Sequence, residues 1–82
     1  MANRYIIYGR SSCPFCVAAV DLLKFREIES VFLDLDDSPD QLNEAKQFYD
    51  WPTVPIVLKN NLDTGEVSLV GGYTDLENTV EP

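Results

Sequence analysis

The chain has 82 residues, enough for one domain, residues 1–82, with a small hydrophobic core. Fourteen acidic against six basic residues give a net charge of −8, which argues against nucleic acid or an anionic membrane as partner. No apolar run approaches the ~20 residues of a membrane helix, and the start of the chain carries no signal-peptide core, so a cytoplasmic protein is expected. Residues 4–8 (RYIIY) form a β-branched and aromatic run that predicts a buried strand, followed by a loop over 9–12. Pro14 then stands where a helix would begin, since proline at the first helical position loses no needed hydrogen bond. From there to Arg26, Cys16, Ala19, Val20 and Leu23 fall on one stripe, with Asp21 and Lys24 on the other side. Residues 31–35 predict a second strand, parallel to the first through a right-handed crossover.

Ser38-Pro39-Asp40-Gln41 has the pattern of a capping box, opening a second helix to about Tyr49. Pro52 and Pro55 force extended backbone at Thr53 and Val54. Residues 56–59 and 66–70 predict a hairpin around the turn-rich stretch 60–65, and Gly71-Gly72 ends it. Thr74-Asp75-Leu76-Glu77 is another capping pattern, opening a last short helix with Thr74 as its cap. The order βαβαββα predicts an α/β domain with a four-stranded mixed sheet flanked by helices.

The chemistry concentrates in Cys13-Pro14-Phe15-Cys16. Two cysteines and no histidine are too few for a tetrahedral zinc site within one chain unless carboxylates join, and too few for a disulfide-stapled secreted domain. With Pro14 at the first helical position, Cys13 is the N-cap. Its sulfur then lies beside unpaired backbone N–H groups at the positive end of the helix, which favours the thiolate. Arg10, three residues earlier, adds positive charge. Cys16 begins the apolar stripe and is expected to be more buried and less ionised, as suits a resolving thiol. Asp34, Asp36, Asp37 and Asp40 lack calcium-loop spacing and read as strand-end, loop and helix-start charges.

Taken together, Cys13-Pro14-Phe15-Cys16, then Thr53-Val54-Pro55, then Gly71-Gly72 with Thr74-Asp75-Leu76 resemble the glutaredoxin family, in its order and over nearly the whole chain. The resemblance implies a thioredoxin-like fold and a cytoplasmic, monomeric thiol–disulfide oxidoreductase. It also implies glutathione as co-substrate, with no tightly bound cofactor and no metal. Cys13 and Cys16 would be catalytic, and glutathione would be bound by Arg10, Phe15, Thr53, Val54, Pro55, Gly72, Tyr73, Thr74 and Asp75. In that scheme Pro55 is a cis-proline and Val54 offers its backbone to the ligand like an added strand. The start of the last helix holds the γ-glutamyl carboxylate and Asp75 its amino group, while Arg10 takes the glycine-end carboxylate. Phe15 lines the groove or shields the dithiol, and Trp51 packs in the core or a loop. The partners implied are glutathione and disulfide-bearing or glutathionylated proteins. Alternatives are an electron donor coupled to thioredoxin reductase, for example towards ribonucleotide reductase, and a glutathione-ligated iron–sulfur dimer.

Overall fold

The computed structural model describes residues 3–80, so positions 1, 2, 81 and 82 of the expected single domain lie outside the described residues. Seven elements follow in the expected order: β1 (Asn3–Gly9), α1 (Pro14–Phe25), β2 (Ser30–Asp34), α2 (Pro39–Phe48), β3 (Ile56–Asn61), β4 (Val67–Gly71) and α3 (Tyr73–Val80). The sheet order is β2-β1-β3-β4, with β1 parallel to β2, and β3 antiparallel to both β1 and β4. This is the thioredoxin-like α/β arrangement. Among the described residues no helix is long and apolar enough to cross a membrane.

Alternation along β1 divides the core. Tyr5 and Ile7 are buried with Ala19 and Leu23 of α1, Val57 of β3 and Leu76 of α3. The opposite side of β1 presents Tyr8, whose ring centroid lies 5.9 Å from that of Tyr49, just after α2. The helix stripe behaves as its spacing requires: Cys16, Ala19 and Leu23 are fully buried, Val20 is partly buried, and Asp21 and Lys24 face out.

The helix ends show what local chemistry the sequence pattern hides. Ser38 is at the N-cap of α2, but its side chain makes no capping hydrogen bond, so the expected box is present in position only. Both α1 and α2 end in a Schellman motif without glycine. After α1, Glu27 adopts φ 58° and donates its N–H to the Lys24 carbonyl, while Ile28 donates to Leu23 at 2.9 Å. After α2, Asp50 has φ 51° and Trp51 donates its N–H to the Lys46 carbonyl at 2.9 Å. The second motif turns the chain back and delivers Trp51 to the site described next. In the β3–β4 turn the Asn61 side chain accepts from the N–H groups of Asp63 and Thr64, and Gly65 takes φ +78°.

Candidate active site

Strand register gathers four connecting segments at one end of the sheet. Gly9 pairs with Asp34, so the loops after β1 and after β2 leave side by side. Tyr8 pairs with Ile56, which sets Pro55 at the same end, and Val57 pairs with Gly71, which adds the start of α3. Along the strand ends, Arg10 lies towards β2 and Gly72 lies towards β4, with the dithiol between them.

Cys13 is the N-cap of α1 in extended conformation (φ −94°, ψ 117°), half-buried, with Pro14 opening the helix. Partial burial alone would raise its thiol. The Cys16 thiol, the backbone N–H groups of Cys16 and Phe15, and the Arg10 guanidinium outweigh that and hold it below the ordinary thiol value. Cys16 is fully buried, and burial pushes its thiol up to about 12, with the neighbouring Cys13 adding to the rise. The two sulfurs are therefore chemically unequal. At neutral pH the accessible thiol is the one that supplies thiolate.

Two glycines make this geometry possible. A Cβ on Gly9 would stand 2.6 Å from Cys16 Sγ and 3.2 Å from both Cys16 Cβ and Phe32 Cε1, so a bare backbone is what lets the buried thiol in. Gly9 was expected in a loop; it is the last residue of β1, where its carbonyl accepts from Leu35 N–H at 2.8 Å. Gly71 has φ +126°, a conformation open chiefly to glycine, and a Cβ there would collide with the Asp75 carboxylate.

That carboxylate corrects the expected cap. The last helix begins at Tyr73, so Gly72 and not Thr74 is the N-cap, and Asp75 at the third helical position reaches back to accept from Gly72 N–H at 2.9 Å. Thr74 is exposed at the second helical position and is not the cap. Tyr73 faces Phe15 with ring centroids 6.0 Å apart, bringing the starts of α1 and α3 together, and Phe15 remains 63% exposed. The Val54–Pro55 peptide is cis, with Pro55 buried, Val54 half-buried and Thr53 exposed. Trp51 is half-buried and its indole lies against Gly72, 3.7 Å from where a Cβ would project, which is the packing role expected of it.

Arg10 differs most from expectation. Its Nε donates to Asp36 Oδ1 at 3.0 Å, so the guanidinium foreseen for a ligand carboxylate already holds one from its own chain. Beside it lies a cleft of about 190 Å³ lined by Arg10, Leu35, Asp36, Pro39, Leu42, Asn43 and Lys46. A larger cleft of about 320 Å³, between Tyr8 and the α2 residues Gln41, Glu44, Ala45 and Phe48, includes neither cysteine. Neither cleft is lined by Cys13 or Cys16. Among the described residues no three His, Cys, Asp or Glu side chains converge as a metal site.

The sequence profile of the glutaredoxin family matches residues 5–62, which include the dithiol, the cis-proline segment and three of the four strands. The chain belongs to the glutaredoxin family. This glutaredoxin is thus a member of a family of thiol–disulfide oxidoreductases, and its unequal cysteine pair fits that chemistry. A comparison with curated proteins finds no significant match. Among solved structures, it is similar to the glutaredoxin-like protein NrdH-redoxin from Escherichia coli, described as having a thioredoxin-like activity profile. The TM-score is 0.66 at 24% identity, covering 96% of each chain. It is also similar to a glutaredoxin from Brucella melitensis (TM-score 0.65, 27% identity, 92% of this chain and 75% of that one). Glutaredoxin 1 from Francisella tularensis gives a TM-score of 0.64 at 22% identity, covering 98% and 94%.

Proposed function

We propose that this protein is a dithiol glutaredoxin that reduces protein disulfides and glutathione mixed disulfides, and is itself reduced by glutathione. The observation that carries the reading is the inequality of its thiols: Cys13 half-buried and shifted towards thiolate, Cys16 fully buried and shifted away from it. Cys13 thiolate attacks one sulfur of the substrate disulfide; the other sulfur leaves as a thiolate and takes up a proton, and a mixed disulfide remains on Cys13. Part of what suppresses Cys16 ionisation is the charge on Cys13, and that charge disappears once Cys13 is in a disulfide. Cys16 then loses its proton, attacks Cys13 Sγ, and expels the second substrate thiol. Two glutathiones restore the dithiol and leave as glutathione disulfide, so each cycle moves two electrons.

Support for glutathione comes from the arrangement around Cys13. The cis-proline segment presents Val54 backbone beside the dithiol end of the sheet, and the N-terminus of α3 with Gly72 and Tyr73 lies on one flank. Arg10 lies on the other flank. Asp75 spends one carboxylate oxygen on Gly72 N–H, and the other is assigned to the ligand's amino group.

A second reading, reduction by a thioredoxin reductase, draws on one specific observation. Arg10 is already paired with Asp36 in a chain of net charge −8, which weakens attraction for an anionic tripeptide. The deciding experiment measures disulfide reduction driven by glutathione or by a thioredoxin reductase, on wild type, Cys13→Ser and Cys16→Ser. Cys13→Ser loses all turnover; Cys16→Ser keeps removal of glutathione from mixed disulfides and loses reduction of protein disulfides. Folded Cys16→Ser protein lacking both activities would refute the division of roles. Turnover with the reductase alone would replace glutathione by the second reading.

A further inference from the structure

The loop that carries Arg10 into the dithiol is held by carboxylates from the end of β2 and the loop after it. Asp36 Oδ1 accepts from Arg10 Nε at 3.0 Å and from Ser12 Oγ at 3.2 Å, while its Oδ2 accepts from Ser11 Oγ at 3.2 Å. Asp34 Oδ1 accepts from the backbone N–H groups of Ser11 and Asp36, both at 3.1 Å. Hydrogen bonding from Arg10, then from Ser12 and Ser11, holds the Asp36 carboxyl below the usual range, so it is ionised at neutral pH. Arg10 keeps about half its side chain exposed and lines the 190 Å³ cleft with Asp36 and Lys46. A ligand carboxylate arriving on this flank meets a guanidinium whose Nε already donates to a carboxylate of the same chemistry. Two such groups compete for one cation.

We propose that Asp36 is a specificity-determining residue of the dithiol site: as the internal counter-ion of Arg10 it weakens the hold on thiols that carry a carboxylate and leaves neutral thiols unaffected. The inference rests on the proposed function only in taking glutathione as the carboxylate-bearing thiol. It accounts for a cation three residues before the nucleophile that is nonetheless paired with a carboxylate of its own chain.

The test is steady-state reduction of a small neutral disulfide, with either glutathione or 2-mercaptoethanol as the varied thiol. Asp36→Asn keeps one acceptor oxygen, for Ser12, turns an amide N–H donor towards Ser11 Oγ, and removes the charge. The expected result is a KM for glutathione lowered about threefold, the scale of an exposed ion pair. The KM for 2-mercaptoethanol stays unchanged. The gain disappears in ~0.5 M salt, where exposed charges are screened, and is absent in an Arg10→Gln background. Asp36→Glu restores wild-type behaviour. Arg10→Gln alone, with Asp36 intact, raises the glutathione KM less than about twofold, because Asp36 already offsets much of what that charge offers a ligand carboxylate.

Equal changes for both thiols, an unchanged or higher glutathione KM in Asp36→Asn, or a tenfold rise in Arg10→Gln alone would each overturn the inference. The two hypotheses fail differently. A wild type that ignores glutathione while Asp36→Asn uses it refutes the glutathione reading and upholds the inference. Wild type and variant with identical glutathione KM refute the inference alone. Turnover of both proteins by 2-mercaptoethanol but of neither by glutathione refutes both.

Discussion

Replacing Gly9 with alanine inserts one methyl group where the structure leaves no room for it. Its Cβ would lie 2.6 Å from Cys16 Sγ, roughly 1 Å inside the ~3.5–4.0 Å of ordinary non-bonded contact. The backbone of Gly9 cannot retreat freely. It pairs with Asp34 across the sheet, and its carbonyl accepts from Leu35 N–H at 2.8 Å. Cys16 is fully buried, with Phe32 close behind the added methyl at 3.2 Å, so the thiol must rotate or the start of α1 must shift. Overpacking of this kind costs about 1–3 kcal/mol. At a urea m-value of about 1 kcal/mol/M, a loss of about 2 kcal/mol lowers the unfolding midpoint of the reduced protein by about 2 M.

The same displacement has a kinetic signature. Moving Cys16 slows its attack on the Cys13 mixed disulfide, so reduction of a protein disulfide falls while the single-thiol reaction of Cys13 persists. Cys16→Ala removes the 2.6 Å contact and leaves 3.2 Å as the nearest approach, so Gly9→Ala costs at least about 1 kcal/mol less in that background. Urea titration of the four proteins of this cycle measures the coupling. A Gly9→Ala protein within about 0.5 kcal/mol of wild type, or an equal loss with and without the Cys16 thiol, would refute the packing argument.

Two further outcomes follow from the same geometry. Iodoacetamide modifies Cys13 and spares Cys16 in the folded reduced protein, since a thiol raised to about 12 exposes thiolate on the order of 10³ times less often than one below the ordinary value. The Cys13 rate falls as pH drops through its lowered pKa, and Arg10→Gln moves that midpoint upward; equal labelling of both cysteines near pH 7.5 would contradict the assignment. Glu27→Gly stabilises the fold by about 0.5–1 kcal/mol by thermal or urea unfolding, because glycine accepts the φ of 58° without the Cβ penalty. An unchanged or lower midpoint would count against strain at that position.

Order and type of all seven elements were legible because each apolar run keeps one period, and because Pro14 and Pro39 mark where α1 and α2 begin. The nucleophile's position was legible for the same reason: proline at the first helical turn sets Cys13 at the cap. The start of α3 was not, since two capping patterns overlap there, Gly72 with Asp75 and Thr74 with Glu77. The choice between them depends on the sharp turn at Gly71, whose φ of +126° places Asp75 under Gly72 N–H. Gly9 was equally opaque, because its reason lies in how closely α1 approaches the end of β1, not in its neighbours along the chain.

Arg10 and Asp36 set the limit of local reading most clearly. Each alone has an ordinary account, a cation near a thiol and an acid in a turn, and 26 positions separate them. Parallel pairing of Gly9 with Asp34 closes that distance, since it makes the two loops leave the sheet as neighbours. The topology that builds the thiolate site therefore also delivers a carboxylate to the cation beside it. The charge felt by an incoming thiol is set by the pair, and Arg10 taken alone overstates it.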